Sequence, residues 1–188
     1  MSDLNESVSP AAPTRVVDAI RSGMTETPDF PEQGILFRDL SGLFADASAL
    51  RVVAEALVEG FGEIDAVAGV EARGFVLGAA AAVATGHGML AVRKAGKLPG
   101  AVLNESYALE YGSASLEVHP DTLPNGARVV IVDDVLATGG TLAATIRLMQ
   151  RAGWEVVGVA VVIELDDLGG RAVVEAATDA PVKALLTL

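Results

Sequence analysis

Two short apolar runs, IDAVAGV ending at Val70 and GMLAVRK ending at Lys94, stand on either side of an apolar segment from Phe75 to Ala84. A strand covered on one face alternates apolar and polar side chains, whereas a strand covered on both faces is apolar throughout. Strand, helix and strand of this kind predict a parallel βαβ unit. The middle segment is too short to cross a bilayer and is full of Ala and Gly, so it is expected to be a buried helix.

The rest of the chain continues the pattern. Thr14 can cap a helix over 15–22, with Val16, Val17 and Ile20 on one face and Gly23 at its end. After a proline-bounded segment, Asp46 or Ser48 opens a helix to about Phe61, with Leu50, Val53, Ala54, Leu57 and Phe61 at helical spacing. Lys94–Asn104 holds glycines, a proline and few core residues, which predicts a long exposed loop. ESYALEYG and SASLEVH alternate around Gly112-Ser113 and predict a hairpin. ARVVIVDDV, EVVGVAVVIEL and VKALLTL read as further strands, with a helix over TLAATIRLMQRAG. Alternating elements imply an α/β fold with a mainly parallel central sheet flanked by helices.

With 188 residues, 51% of them hydrophobic, the chain can bury one sizeable core. Residues 14–188 are expected to form a single domain, and residues 1–13 a disordered tail without the basic start and apolar stretch of a signal peptide. A cytoplasmic location is expected. A net charge of -12 argues against nucleic acid or an anionic membrane as partner, so any anionic ligand needs a local cationic cluster. The absence of cysteine excludes disulfides and thiol catalysis.

VVIVDDVLATGGT, Val129 to Thr141, then sets two adjacent carboxylates at the carboxyl end of an apolar strand, where ligands bind in open α/β sheets. The loop Ala137, Thr138, Gly139, Gly140, Thr141 leads into a helix, so its N–H groups and hydroxyls can surround a phosphate. Asp133 and Asp134 can accept hydrogen bonds from two sugar hydroxyls or face a metal ion, which offsets the repulsion between them. A ligand carrying a phosphate next to a diol satisfies both halves. Neither G-x-x-x-x-G-K-[ST] nor G-x-G-x-x-G is present at this position. The plainer alternative is a capped helix with two solvated aspartates; the whole string is more specific than the pair.

That string resembles the phosphoribosyl pyrophosphate signature of the type I phosphoribosyltransferases. DFPEQGILFRDLSGLF, VEARGFVLGA, VRKAGKLPG and ESYALEYG narrow the resemblance to the adenine phosphoribosyltransferases, in order, from about Thr14 to Arg171. It implies that Asp133 and Asp134 hold the ribose and that Ala137 to Thr141 bind the 5-phosphate. Glu71, Ala72, Arg73 and Gly74 resemble the pyrophosphate loop, where members often carry a non-proline cis peptide. Arg93, Lys94 and Lys97 resemble the basic cluster that approaches pyrophosphate, partly from a neighbouring subunit. Leu36, Phe37 and Arg38 resemble the adenine pocket, whose main chain can read an amino donor beside a ring acceptor.

The implied reaction is displacement of pyrophosphate by adenine N9, giving AMP, with Mg²⁺ carried mainly by the sugar pyrophosphate and few direct protein ligands. Glu110 matches the glutamate that assists proton movement on the purine, and Tyr111 accompanies it; with Arg73 these are the catalytic candidates. A homodimer is implied as well. His87 and His119 have no triad partner or metal spacing and read as structural or solvent-facing. Trp154 reads as packing at a helix-to-strand turn, and Glu164, Asp166 and Asp167 as surface charge that could approach the site. Two rivals stay open: a phosphoribosyltransferase for another base, and a regulator that binds phosphoribosyl pyrophosphate without chemistry. The acidic charge and the loops used in turnover favour the enzyme.

Overall fold

A computed structural model describes residues 14–108 and 113–188. Helix α1, Thr14–Gly23, buries Val16, Val17 and Ile20, as their spacing predicts. The proline-bounded segment holds a feature the pattern does not announce. Strands β1 (Thr25–Pro28) and β2 (Leu36–Asp39) pair antiparallel as a separate two-stranded sheet, with Thr25 opposite Asp39 and Pro28 opposite Leu36. Helix α2 (Ser41–Ala45) leads to α3 (Ala47–Val58), whose start is fixed by Asp46 accepting from the N–H groups of Ser48 and Ala49 at 2.8 and 2.9 Å. Such a cap stabilises a helix by about 1 kcal/mol. The helix stops at Val58, where Glu59 turns extended, yet Phe61 still packs on the core.

Strand β3 (Ala66–Val70), helix α4 (Arg73–Thr85) and strand β4 (Gly88–Lys94) form the expected unit, with β3 and β4 parallel and Ala66 opposite Gly88. Gly86 ends α4 at φ +76°, a left-handed conformation open to glycine. The hairpin of β5 (Leu103–Ala108) and β6 (Ser113–Val118) follows. Then come β7 (Arg128–Leu136), α5 (Gly140–Arg151), β8 (Glu155–Glu164), a short 3-10 turn, α6 (Gly170–Glu175) and β9 (Val182–Thr187). The main sheet runs β5-β6-β4-β3-β7-β8-β9. Strands β4, β3, β7, β8 and β9 are parallel, and β6 joins antiparallel to β4 and β5.

The central strands are apolar throughout because alternate side chains serve two cores. Val130 and Val132 of β7 pack with Leu57, Leu77 and Ala81 of α3 and α4, whereas Val129 and Ile131 pack with Leu142, Ile146 and Met149 of α5. Helix α4 departs from the expectation of a buried helix. Leu77, Gly78, Ala81 and Ala82 are buried, but Val76 and Val83 on its far side are 42% and 83% exposed. Trp154 is buried and donates from Nε1 to Leu123 O at 3.2 Å, which anchors the turn between α5 and β8. No described helix is long and apolar enough to cross a membrane.

Candidate active site

The two carboxylates lie inside β7, not at its end. β3 pairs with β7 only as far as Val132, whereas β8 accompanies it to Leu136, so Asp133 stands where the neighbour on one side has stopped. Asp133 Oδ1 accepts from Asp134 N–H at 2.9 Å. Burial, then the adjacent Asp134 charge, pushes the Asp133 carboxyl well above the usual carboxylate range, with Asp134 N–H and Arg73 pulling the other way. The pair is crowded by β7 itself, and glycine makes room for it. A Cβ on Gly74 would lie 2.9 Å from both Asp133 Oδ1 and Val132 O.

Arg73, the first residue of α4, joins three segments. Its Nη2 lies 2.7 Å from Asp134 Oδ2, its Nη1 donates to Arg38 O at 3.3 Å, and its guanidinium sits 5.7 Å from the Phe37 ring centre. The approach to Oδ2 is an ion pair off the hydrogen-bonding angle, so that buried oxygen accepts no hydrogen bond. An oxygen in this state suits a ligand hydroxyl or a metal-bound water. Among the described residues no three His, Cys, Asp or Glu side chains converge to hold a metal, so a metal here would need oxygens from its ligand.

A cis peptide bond joins Glu71 to Ala72, the residue before Arg73. Glu71 Oε2 accepts from Lys94 N–H at 2.9 Å and Arg93 Nε at 3.2 Å; the Lys94 N–H is the main reason its carboxyl is held below the ordinary range. The Arg93 guanidinium also lies 5.8 Å from the Phe75 ring centre. Of the three expected cations, Arg93 therefore turns inward, while Lys94 and Lys97 are exposed.

The phosphate-type loop is also braced from behind. Gly139 takes φ +80° as the cap of α5, and a Cβ there would overlap Gly170 O; one on Gly170 would overlap Ala137 O. Helix α6, which the sequence pattern missed, thus packs against Ala137–Gly139. It is held by Arg171, which bridges both oxygens of Glu164 and donates to Val182 O at 3.0 Å. Glu164 is 3% exposed, which corrects its reading as surface charge. Thr138 is exposed, and Thr141 Oγ1 donates to Tyr107 Oη at 3.3 Å. Tyr107 was not a candidate, although it sits in the same ESYALEYG string. Glu110 and Tyr111 lie outside the described residues.

Leu36, Phe37 and Arg38 occupy β2, which reaches the carboxylates through Arg73. Phe37 packs edge-on to Phe30 at 5.2 Å, and Arg38 Nε donates to Glu26 at 3.1 Å. His87 shares a 2.8 Å hydrogen bond with Thr85, and His119 meets Ala101 O at 3.1 Å; neither joins the site.

A carboxylate pair and a glycine loop on one strand of a parallel sheet, under an antiparallel hairpin, describe a phosphoribosyl transferase domain, and the family of that description matches residues 45–181. An adenine phosphoribosyltransferase of Clavibacter michiganensis is 60% identical over 175 residues, 93% of this chain and 98% of that one. The crystal structure of adenine phosphoribosyltransferase from Rhodothermus marinus superposes with a TM-score of 0.85 at 46% identity, covering 94% of this chain and 100% of that one. The Saccharomyces cerevisiae enzyme, complexed with an imino-altritol bisphosphate and adenine, gives 0.83 at 36% identity over 90% and 98% of the two chains. The chain belongs to the adenine phosphoribosyltransferase family.

Proposed function

We propose that this protein transfers the 5-phosphoribosyl group from phosphoribosyl pyrophosphate to adenine, giving AMP and pyrophosphate in purine salvage. The observation that carries the proposal is the position of Arg73, in contact with both the Asp133–Asp134 pair and the main chain of Arg38. Sugar and base segments are thereby tied to one cation. In this reading Asp133 and Asp134 accept the ribose hydroxyls, with Asp134 Oδ2, which pairs with Arg73 but accepts no hydrogen bond, taking one of them. Ala137, Thr138, Gly139, Gly140 and Thr141 hold the 5-phosphate at the start of α5. Glu71, Ala72, Arg73 and Gly74, with Lys94 and Lys97, surround the departing pyrophosphate, Arg93 supports them from behind through Glu71, and Leu36, Phe37 and Arg38 take the adenine.

As pyrophosphate leaves, the sugar C1 gains cationic character, so the nearby carboxylates favour the transfer. Mg²⁺ carried by the pyrophosphate would neutralise the leaving group there. Glu110 holds or moves the proton of the purine ring and Tyr111 accompanies it. Residues 14–188 act as one catalytic domain, in the cytoplasm. A homodimer completes the proposal; the exposed Val76 and Val83 on α4 give a second copy an apolar stripe to cover.

The test is incubation with phosphoribosyl pyrophosphate, Mg²⁺ and each purine or pyrimidine base separately, following pyrophosphate release. AMP from adenine, lost when the metal is chelated, is expected. No AMP would overturn the proposal, and equal turnover of hypoxanthine would overturn only the choice of base.

A further inference from the structure

The basic loop after β4 carries an anion-binding turn that is already filled from within. Gly96 takes φ +80°, and the N–H groups of Gly96, Lys97 and Leu98 converge on one carboxylate, Glu117, at 3.0, 2.7 and 2.6 Å. Three consecutive N–H groups aimed at one point form a concave site of the type that takes a phosphate or a carboxylate. Glu117 lies on β6, opposite Arg93 of β4 and Asn104 of β5, and is 3% exposed. Burial pushes its carboxyl pKa up, but the three N–H bonds outweigh that, and the carboxyl is held below the ordinary range. Glu71 holds the start of the same loop through Lys94 N–H at 2.9 Å.

Two carboxylates therefore fix the backbone and leave the side chains free. Lys94 and Lys97 are exposed and, among the described residues, join no ion pair. We propose that Glu117 is a positioning residue: it occupies the turn over 96–98 so that the Lys94 and Lys97 ammonium groups, and not the loop's own N–H groups, meet the pyrophosphate end of the sugar substrate. The proposal rests on the transfer reading for the identity of that anion. Its physical logic is separation of roles. A turn with its N–H groups satisfied cannot collapse onto the incoming anion, and flexible lysines held on a fixed base lose less freedom on binding.

Glu117→Gln tests it with little change of shape. One acceptor oxygen becomes an NH₂ donor facing N–H groups, so at least one of the three bonds is replaced by a repulsive contact. The KM for phosphoribosyl pyrophosphate is expected to rise about tenfold, the scale of one lost hydrogen bond to a charged group, with the KM for adenine within about twofold. A general loss of structure would move both. Lys97→Met supplies the second arm of a double-mutant cycle. It is expected to raise the same KM about tenfold alone and less than about threefold in the Glu117→Gln background.

An unchanged KM in Glu117→Gln, or two effects that multiply independently, would overturn the proposal. Hydrogen exchange on the unaltered protein needs no variant: slow amides at 96–98 are expected, and exchange at the free-peptide rate refutes the clamp. If the wild-type protein makes no AMP, the transfer reading falls. The cycle is then read as dissociation constants for inorganic pyrophosphate, with the same decision between coupled and independent effects.

Discussion

Gly74→Ala is a sharp test of how α4 and β7 share the site. The added Cβ would lie 2.9 Å from Val132 O and 2.9 Å from Asp133 Oδ1, where ordinary contact begins near 3.4 Å, so something must retreat by about 0.5 Å. The carbonyl of Val132 belongs to the central strand and is not free to move, which leaves the start of α4 and the Asp133 side chain. Overpacking of this kind costs about 1–3 kcal/mol, and Tm should fall by about 2–12 °C for a chain of this length. If Asp133 accepts a ribose hydroxyl, as proposed, displacing its carboxylate should also raise the KM for phosphoribosyl pyrophosphate by about 10–100-fold. Gly78→Ala is the matched control. Its Cβ would meet Gly69 Cα at 3.0 Å and Gly69 N at 3.2 Å, against β3 and away from Asp133. It should shift Tm while leaving that KM within about twofold. Initial rates at saturating adenine, with thermal unfolding followed in parallel, read both quantities. A Gly74→Ala protein with lowered Tm and unchanged KM, or a Gly78→Ala protein with an equal rise in KM, would refute the reasoning.

Asp133→Asn should raise the Tm of the ligand-free protein at neutral pH and weaken phosphoribosyl pyrophosphate binding. The folded-state pKa of Asp133 is raised, so its contribution to stability is fully present below the unfolded carboxylate pKa and is lost as pH rises through the folded one. The gain from Asn should therefore vanish in acid, and thermal unfolding across pH checks it. Tyr107→Phe removes only the oxygen that meets Thr141, and should raise the KM for phosphoribosyl pyrophosphate about 2–10-fold with little change in Tm. An unchanged KM would leave Tyr107 outside the phosphate site. Arg171→Met leaves Glu164 buried without its partner and should lower stability by about 3 kcal/mol, measured by urea unfolding.

The legible parts of this molecule are those whose meaning is local. AVAGV and VVIV announce central parallel strands because both their faces are covered, and DDVLATGG carries carboxylates and loop within one strand-to-helix turn. Glycine in that loop could be read for conformation, but not Gly170, whose role is a close approach to Ala137 O from a different helix. Glu117 alternates like a solvent-facing residue in SASLEVH, yet it is buried where the N–H groups of the loop after β4 converge on it. Charge shows the same division. Composition and spacing count Arg93, Lys94 and Lys97 as one cluster, yet Arg93 is committed to Glu71 and the Phe75 ring, whereas the two lysines are not. A sequence thus fixes which charges a loop owns, and the fold decides which of them a ligand can meet. If the loop after β4 serves pyrophosphate, removing Lys94 or Lys97 should weaken binding by direct loss of charge, whereas removing Arg93 should act through Glu71 and the Lys94 N–H it shares.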